Sequence, residues 1–297
     1  MRDDFGALIL THGRANNVKT VKSLQRAGYT GKWYIVIDDE DDQEDEYRRI
    51  YGERVIRFCK ADRAKITDVG DTSKERRCII FARNEAFAIT RDLGLKYFIE
   101  LDDDYNNFEY LSEESGKLKH TKIKQLDAVF TAMINFHGAS GARTVAMAQS
   151  GDMIGGVNSS RWKQQLLRKA MNSFVCRVDD PINFVGRINE DVNTYVTGGM
   201  RGELFFTTLK LMLNQEQTQK AKGGMTGNYL DGGTYVKTFY SVVYAPSCVK
   251  VASMGVSNQR CHHHVDWNAC CPKIISEKYR KGGRTCPAEP IQTASQT

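Results

Sequence analysis

Three consecutive carboxylates, Asp102, Asp103 and Asp104, follow an apolar stretch that only Glu100 interrupts. Charges of one sign so close together are unfavourable where water is excluded, so a cation is expected beside them. In an extended chain Asp102 and Asp104 point the same way and Asp103 points the opposite way. Such a pair can hold Mn²⁺ or Mg²⁺, which prefer oxygen ligands and bridge diphosphate oxygens. We therefore predict a metal site at Asp102 and Asp104 and expect Asp103 to tolerate asparagine.

A second cluster, CHHHVDW at 261–267, places three histidines side by side. In an extended chain His262 and His264 share one side, and His263 lies on the other. Three adjacent histidines are unusual in a core, and either metal binding or a simple exposed cluster accounts for them. A zinc site that also uses the nearby cysteines is a third possibility, although these cysteines lack the two-residue spacing typical of such sites.

The elements that must position these side chains alternate over the first hundred residues. Apolar runs predict strands at 6–10, 32–38, 55–60 and 96–104. Between them we predict a helix that is capped by Asn16 or Asn17 and ended by Gly28, and a second helix over about 75–93. Such alternation is typical of an α/β fold with a mostly parallel sheet flanked by helices.

Three polar clusters follow the ends of these strands: THGR at 11–14, IDDED at 37–41 and LDDDY at 101–105. Parallel strands bring their carboxyl ends to one edge of the sheet, where ligands of open α/β sheets bind. We therefore predict that the three clusters converge in space.

The second half of the chain is less regular. Helical spacing predicts a helix within 122–138, and β-rich runs predict strands at 144–149 and 234–245. The stretch 204–214 fits a strand or a helix. The residues from 285 to 297 are expected to form a flexible tail.

Composition narrows the classes of protein that fit. The chain has 297 residues, of which 41% are hydrophobic and 26% charged, as is ordinary for a globular protein. It has no apolar run long enough for a transmembrane helix, and its N-terminus lacks a cleavable apolar segment. Eight cysteines without such a signal predict reduced thiols and a cytoplasmic location.

The distribution of charge is uneven. The net charge is +6, and the stretch 38–46 alone holds eight acids, so the remainder of the chain carries +14. Such a basic remainder favours an anionic partner such as a nucleic acid or a nucleotide.

The stretch before the aspartates, residues 79–105, resembles a motif of nucleotide-sugar glycosyltransferases of the GT-A fold. Its ARN sequence at 82–84 and its DxD sequence at 102–104 match that motif. The departures are an Ala86-Phe87 pair in place of a glycine step and Tyr105 in place of a final acid. An isolated DxD also occurs in helix caps and acidic turns, so the match that precedes it strengthens the metal interpretation.

The resemblance implies a set of donor-binding residues at the strand ends, on the ARN helix and near the C-terminus. They are Thr11, His12, Arg14, Asp38, Asp39, Arg83, Asp102, Asp103, Lys278 and Lys281. The guanidinium of Arg83 would pair with a carboxylate or a phosphate, and the two lysines would add positive potential at the donor or the acceptor.

The resemblance also implies a further metal ligand and a catalytic base. A histidine near the C-terminus would complete the metal shell, with His264 preferred over His262. In enzymes that invert the sugar carbon, a carboxylate takes the proton of the acceptor hydroxyl. In NEDVNTY at 189–195 this role falls to Asp191 in preference to Glu190, although an acid pair at a helix N-terminus would look the same.

Over nearly its whole length the chain resembles the phage TET-associated glycosyltransferases, a GT-A-like group. LTHGR, IELDDDY, NEDVNTY and the basic stretch that begins HHHVDW carry the resemblance, and 105–188 matches in general pattern only. The resemblance implies that a hexose or N-acetylhexosamine passes from a nucleotide-sugar donor, a UDP-sugar in our prediction, to 5-hydroxymethylcytosine in double-stranded phage DNA within the host cytoplasm. It also implies one domain over 1–284, with a nucleotide-sugar half at about 1–110 and an acceptor half at about 111–284.

Three other functions fit parts of the pattern. A GT-A enzyme that acts on a cytosolic protein or glycan would share the donor site. A sugar-1-phosphate nucleotidyltransferase would need a glycine-rich basic signature after the first strand, which THGRANN lacks. A non-enzymatic DNA-binding module would bind DNA without a divalent metal and would not need a DxD.

Overall fold

Apolar runs of the sequence form the strands of the computed structural model, which describes residues 1–153, 155–163, 173–215, 236–254, 260–271 and 274–279. The strands are β1 (Phe5–Leu10), β2 (Lys32–Asp38), β3 (Val55–Phe58), β4 (Tyr97–Asp102), β5 (Tyr105–Glu114), β6 (Lys117–Lys122), β7 (Thr144–Gln149), β8 (Val175–Arg177), β9 (Phe205–Gln215), β10 (Val249–Met254) and β11 (Arg260–Val265). The helices are α1 (Lys19–Arg26), α2 (Glu44–Tyr51), α3 (Lys60–Ala64), α4 (Ile80–Asp92), α5 (Leu126–Ser140), α6 (Ser160–Lys163), α7 (Glu190–Met200), α8 (236–244) and α9 (Trp267–Cys270). Single turns of 3-10 helix cover Ala15–Asn17, Gly52–Arg54, Ser150–Met153, Gly156–Asn158 and Glu277–Tyr279. None of the helices described is long and apolar enough to cross a membrane.

Among the described residues, one sheet has the strand order β3-β2-β1-β4-β8-β7-β9-β5-β6, and β10 and β11 pair as a separate antiparallel ribbon. The strands β1 to β4 are parallel to one another. Strand β8 is antiparallel to β4 and β7, and β5 is antiparallel to β6 and β9. This sheet with flanking helices is the α/β, GT-A-like architecture that the sequence predicts, although its second half is of mixed direction. The carboxyl ends of β1, β2 and β4 lie at one edge.

Both faces of the parallel strands are buried, because successive side chains alternate between two hydrophobic clusters. Along β1, Ala7 and Ile9 belong to one cluster, and Leu8 and Leu10 belong to the other. Helices α1 and α5 cover the first face, and α4 and α7 cover the second. Each fully buried aliphatic side chain contributes about 1.5–3 kcal/mol, so the strand ends are held on a rigid base.

The predicted start of the first helix is wrong. Helix α1 begins at Lys19 after Val18, and neither Asn16 nor Asn17 caps it with a side-chain hydrogen bond. These asparagines lie instead in a 3-10 turn in which the Asn17 amide donates to the Arg14 carbonyl. The Thr20 amide in the first turn of α1 donates to the Asp103 carbonyl at 3.2 Å, so a contact with the segment after β4 takes the place of a side-chain cap.

The predicted strand at 234–245 is also wrong, because its described part forms helix α8. Thr238, Ser241 and Ala245 are buried at helical spacing, whereas Phe239 and Val243 are exposed. The preference of β-branched and aromatic residues for strands is weak, and packing of the small side chains decides the structure here. The stretch 204–214, which fitted both states, forms strand β9 from residue 205 onward.

Two helical glycines give a matched test of the packing around α7. A Cβ at Gly199 would lie 2.6 Å from the Cys270 carbonyl oxygen, whereas a Cβ at Gly138 in α5 would meet nothing closer than 4.0 Å. We expect Gly199→Ala to destabilise the fold by about 1–3 kcal/mol through overpacking. Gly138→Ala should stabilise it by about 0.4–1 kcal/mol, since alanine is the better helix former. Urea denaturation measures both, and equal shifts of one sign would contradict the packing of α7 on α9.

Candidate active site

Polar side chains join the ends of β1 and β4. Leu10 lies in register with Asp102 at the end of β4. Beyond the strands, the Thr11 hydroxyl donates to Asp103 at 2.6 Å, and the Arg14 guanidinium donates to the same carboxylate at 2.8 Å. The predicted convergence of THGR with LDDDY is confirmed.

The end of β2 joins the same group through Asp38. His12 Nδ1 lies 2.9 Å from one oxygen of this buried carboxylate, and Lys60 Nζ lies 3.0 Å from the other. Burial opposes ionisation of Asp38, but the His12 hydrogen bond and the Lys60 charge outweigh it and lower the pKa of Asp38. The same hydrogen bond raises the pKa of His12. Asp39 is exposed. Its carboxylate accepts from the Lys60 backbone N–H and so satisfies the first amide of α3.

Asp103 is held more tightly than its position in the triplet predicts. Its side chain is buried, and its two oxygens accept from Thr11 and Arg14. Asparagine there would lose the ion pair with Arg14, so the structure indicates a cost for this substitution, against the expectation that it is tolerated. The alternation of side chains correctly placed Asp103 away from Asp102, but it did not show that a cation lay on that side.

Arg83 is the centre of the site. Its side chain is 2% exposed, and it donates through Nη1 to Glu100 (3.1 Å), through Nη2 to Asp102 (3.2 Å) and through Nε to Glu190 (3.0 Å). These three carboxylates belong to β4 and α7, so Arg83 of α4 ties the sheet edge to the start of α7. Of the two partners predicted for Arg83, a carboxylate or a phosphate, the structure shows carboxylates, and the assignment of Arg83 to the donor site stays a prediction.

One guanidinium does not balance three carboxylates, of which Glu100 and Glu190 are buried and Asp102 is partly buried. Burial and then the neighbouring carboxylates raise the pKa of Glu100 to about 8 and that of Asp102 to about 7, although Arg83 opposes both shifts. Burial and the charge of Asp103 raise the pKa of Asp104 to about 6. The carboxylates in this part of the site are therefore short of positive charge.

The carboxylate oxygens at the end of β4 suit a divalent cation. Asp104 Oδ2 accepts from Gln215 at 3.3 Å, while the buried Asp104 Oδ1 has no hydrogen-bond partner among the described residues. Such an orphaned carboxylate oxygen is costly unless a cation meets it. Hard oxygen ligands suit Mn²⁺ or Mg²⁺. In the described part of the chain, no three acidic, histidine or cysteine side chains lie close enough together to hold a metal. The remaining ligands of a cation at the aspartates would therefore be groups of another kind, such as oxygens of a bound substrate.

Among the described residues, His262 and His264 form no group with the aspartates that could hold a metal. The histidines lie in strand β11, where His264 is exposed and pairs in register with Lys250. His263, which the sequence placed on the other side, lies with its Nδ1 3.3 Å from the Asn189 side-chain nitrogen, and the His262 ring stacks on it at 4.3 Å. Asn189 immediately precedes α7, so His263 contacts the residue that comes before the acidic pair.

Glu190 and Asp191 occupy different environments at the start of α7. Glu190 is buried and bonded to Arg83, and burial raises its pKa in spite of the Arg83 charge. Asp191 is partly exposed, and no described residue gives its carboxylate a hydrogen bond or an ion pair. Its charge contributes to the raised pKa of Asp102, after burial and the nearer carboxylates, so it faces the same site.

Lys278, one of the two predicted C-terminal lysines, does not join the cluster. Lys278 Nζ lies 3.8 Å from Glu203, which also pairs with Arg143 directly before β7. Strand β7 runs in the same direction as β4, so Lys278 lies at the amino ends of the strands, opposite the aspartates. Lys281 and the tail at 285–297 lie outside the described residues.

Sequence reasoning missed several supporting residues. Glu100 could have been found from the sequence, since a charged residue within an apolar strand needs a buried partner of opposite charge. Thr20 carried no such signal; its hydroxyl donates to the Asp102 carbonyl at 2.6 Å and accepts from the Tyr105 amide at 3.1 Å. Gln215 comes from the end of β9, far away in sequence, and no local pattern links it to Asp104.

Comparisons with known proteins give one family and several distant structural similarities. A sequence model described as TET-associated glycosyltransferase matches residues 6–224. No curated protein is significantly similar to the chain. Glucosyl-3-phosphoglycerate synthase from Mycobacterium tuberculosis, in complex with Mn²⁺, UDP-glucose and phosphoglyceric acid, is 10% identical at a TM-score of 0.46, over 86% of this chain and 85% of that one. The mannosyltransferase PcManGT from Pyrobaculum calidifontis, in complex with GDP-mannose and Mn²⁺, is 11% identical at a TM-score of 0.48, over 82% of this chain and 63% of that one.

Removal of Arg83 should be strongly destabilising. Arg83→Ala leaves three carboxylates buried without their cation, and the free energy of unfolding should fall by about 3–5 kcal/mol. Arg91→Ala, an exposed change on the same helix, should shift it by no more than about 0.5 kcal/mol. Urea denaturation measures both. If Arg83→Ala does not fold, Arg83→Lys, which keeps the charge but not the three-way geometry, should show an intermediate loss, and equal stability of all these variants would contradict the role.

Proposed function

This chain belongs to the TET-associated glycosyltransferase family, and we propose that it moves a sugar from a nucleotide-sugar donor to the hydroxymethyl group of 5-hydroxymethylcytosine in DNA. The family model covers residues 6–224. One structural observation carries the proposal: hydrogen bonds join the polar ends of β1, β2 and β4, and the ion cluster of Arg83 joins the end of β4 to the start of α7. The aspartates and the Asp191 carboxylate, which no described residue bonds, therefore lie at the same edge.

The donor in this proposal is a UDP-linked sugar, bound with Mn²⁺ or Mg²⁺. Asp102 and Asp104 would hold the cation, and the orphaned oxygen of Asp104 supports this assignment. When bound, the cation supplies positive charge beside the diphosphate of the donor. Thr11, His12 and Arg14 lie on the loop that would face the nucleotide, and Asp38 or Asp39 would meet its ribose or base.

Asp191 is the catalytic base in this proposal. The acceptor oxygen forms a bond to the anomeric carbon, the bond from that carbon to the diphosphate oxygen breaks, and the hydroxyl proton passes to the Asp191 carboxylate. The absence of a hydrogen bond or ion pair to Asp191 among the described residues leaves its oxygens available for this proton. Glu190 is bonded to Arg83 and acts as a positioning residue. The assignment holds for an enzyme that inverts the sugar carbon.

The assignment of DNA as the acceptor rests on membership of the family. Double-stranded DNA whose cytosines carry hydroxymethyl groups would be modified in the cytoplasm of a phage-infected cell. Outside residues 38–46 the chain carries a net positive charge, which agrees with a polyanionic acceptor. A cytosolic protein or glycan acceptor would use the same donor site, so the acceptor must be tested directly.

The acceptor test is mass spectrometry of nucleosides. Hydroxymethylated duplex DNA is incubated with the protein, Mn²⁺ and a panel of nucleotide sugars, and the unmodified duplex serves as the control. We expect the mass of one hexose or N-acetylhexosamine to be added to 5-hydroxymethylcytosine alone. No gain with any donor would contradict the DNA acceptor, and transfer to a protein or glycan in parallel reactions would replace it.

Asp191→Asn should separate chemistry from donor binding. Loss of a general base lowers turnover by about 10²- to 10⁴-fold, whereas the affinity for the donor should stay unchanged. Asp92→Asn, an exposed change on α4, is the control and should retain full turnover. Full turnover by Asp191→Asn would contradict its role as base.

A further inference from the structure

Five cations of α1 and of the connection from β6 to α5 form a basic face. They are Lys19, Lys22, Arg26, Lys122 and Lys124. The three on α1 are spaced three and four residues apart, so they lie along one side of the helix. All except the partly exposed Lys19 are exposed. No acidic residue occurs within α1 or between Lys122 and Lys124.

The two parts of the basic face are packed against each other. The Leu126 amide donates to the Ala27 carbonyl at 2.9 Å, which fixes the start of α5 on the end of α1. Arg26, Lys122 and Lys124 line one cavity of about 300 Å³. The amide side chains Asn106 and Asn107 also line it, so cations and hydrogen-bonding groups surround the same space.

Four of the five cations of the face form no ion pair with a described residue. Lys22, Lys122 and Lys124 form no ion pair with any such residue, and Arg26 donates only to neutral oxygens of the described residues, the Ser23 hydroxyl and the Asn106 carbonyl. Four clustered cations without a described carboxylate partner create a positive potential at the surface, which favours an anionic ligand.

The face begins next to the aspartates of the active site. In α1, the Thr20 hydroxyl donates to the Asp102 carbonyl at 2.6 Å, and the Ser23 hydroxyl donates to the Tyr105 and Asn106 carbonyls at 2.7 Å. The helix that carries the cations therefore holds the segment that carries the carboxylates. A polyanion on the face would lie beside the site where its base must react.

We propose that the basic face binds backbone phosphates of the acceptor DNA and holds the duplex beside the carboxylate cluster. This inference rests on the proposed function, because it takes DNA as the acceptor. The aspartates repel phosphates, and the cations one helix away offset that repulsion. Lysine and arginine contacts of this kind fix position and orientation without reading sequence.

The test is the salt dependence of DNA binding by the full chain. Binding of a fluorescein-labelled duplex of about 20 base pairs is followed by anisotropy over a range of salt concentrations, without donor or metal. In Lys22→Gln/Lys122→Gln/Lys124→Gln, the slope of log K against log salt should fall by about 2.7, since each phosphate contact contributes about 0.9. The affinity at low salt should fall with it.

The matched control replaces three exposed cations away from this face, as Arg91→Gln/Lys96→Gln/Arg201→Gln. It should bind the duplex with the wild-type slope. Equal losses in both triple variants would show only a general effect of charge, and wild-type binding by the first would show that the face is not used. Wild-type binding with new aggregation would mean that the lysines serve only to protect the edge strand β6.

Failure of this inference is distinguishable from failure of the proposed function. Hydrolysis of the nucleotide sugar by water, without DNA, should be the same in both triple variants and in the wild type. If hydroxymethylated DNA gains no sugar from the wild type while the first triple variant still loses DNA binding, the face stands and the acceptor assignment falls. If sugar is transferred and DNA binding by that variant is unchanged, the face alone falls.

Discussion

The ion cluster around Arg83 is the interaction on which the rest of the structure depends. A guanidinium that is 2% exposed joins Glu100 and Asp102 of β4 to Glu190 of α7. Breaking such a buried pair is costly because the remaining charges stay desolvated. The cluster therefore fixes the distance between the sheet edge, where the donor is proposed to bind, and the start of α7, where Asp191 lies. Three of the five N–H donors of Arg83 go to carboxylates, so Arg83 holds these residues in position.

The same cluster sets the electrostatics of the site. One guanidinium faces three carboxylates, and Asp104 adds a buried oxygen that lacks a partner among the described residues. An acidic site is a poor place for two anionic substrates, a diphosphate and a nucleic acid, unless cations accompany them. A divalent ion at the aspartates and the basic face on α1 would meet these two needs separately. The short hydrogen bonds from α1 to the segment after Asp102 place both close together.

The sequence predicts most of the first half of the fold, because local patterns decide it. The pattern of apolar strands that end in polar residues predicts Thr11, Asp38 and Asp102 at one edge of the sheet. Local patterns do not predict contacts between distant segments of the chain. Gln215 and His263 reach the site through β9 and β11, and the cation beside Asp103 comes from a loop about 90 residues earlier. Helix α8 was missed because buried small side chains override strand propensity.

The most direct test of this account is whether the aspartates bind a divalent cation together with the donor nucleotide. Mn²⁺ is titrated into the protein in the presence of UDP, and free Mn²⁺ is followed by its electron paramagnetic resonance signal. The wild type should bind a single Mn²⁺, Asp104→Asn should bind it more than about tenfold more weakly, and Asp92→Asn should match the wild type. Equal Mn²⁺ binding by wild type and Asp104→Asn would contradict the account.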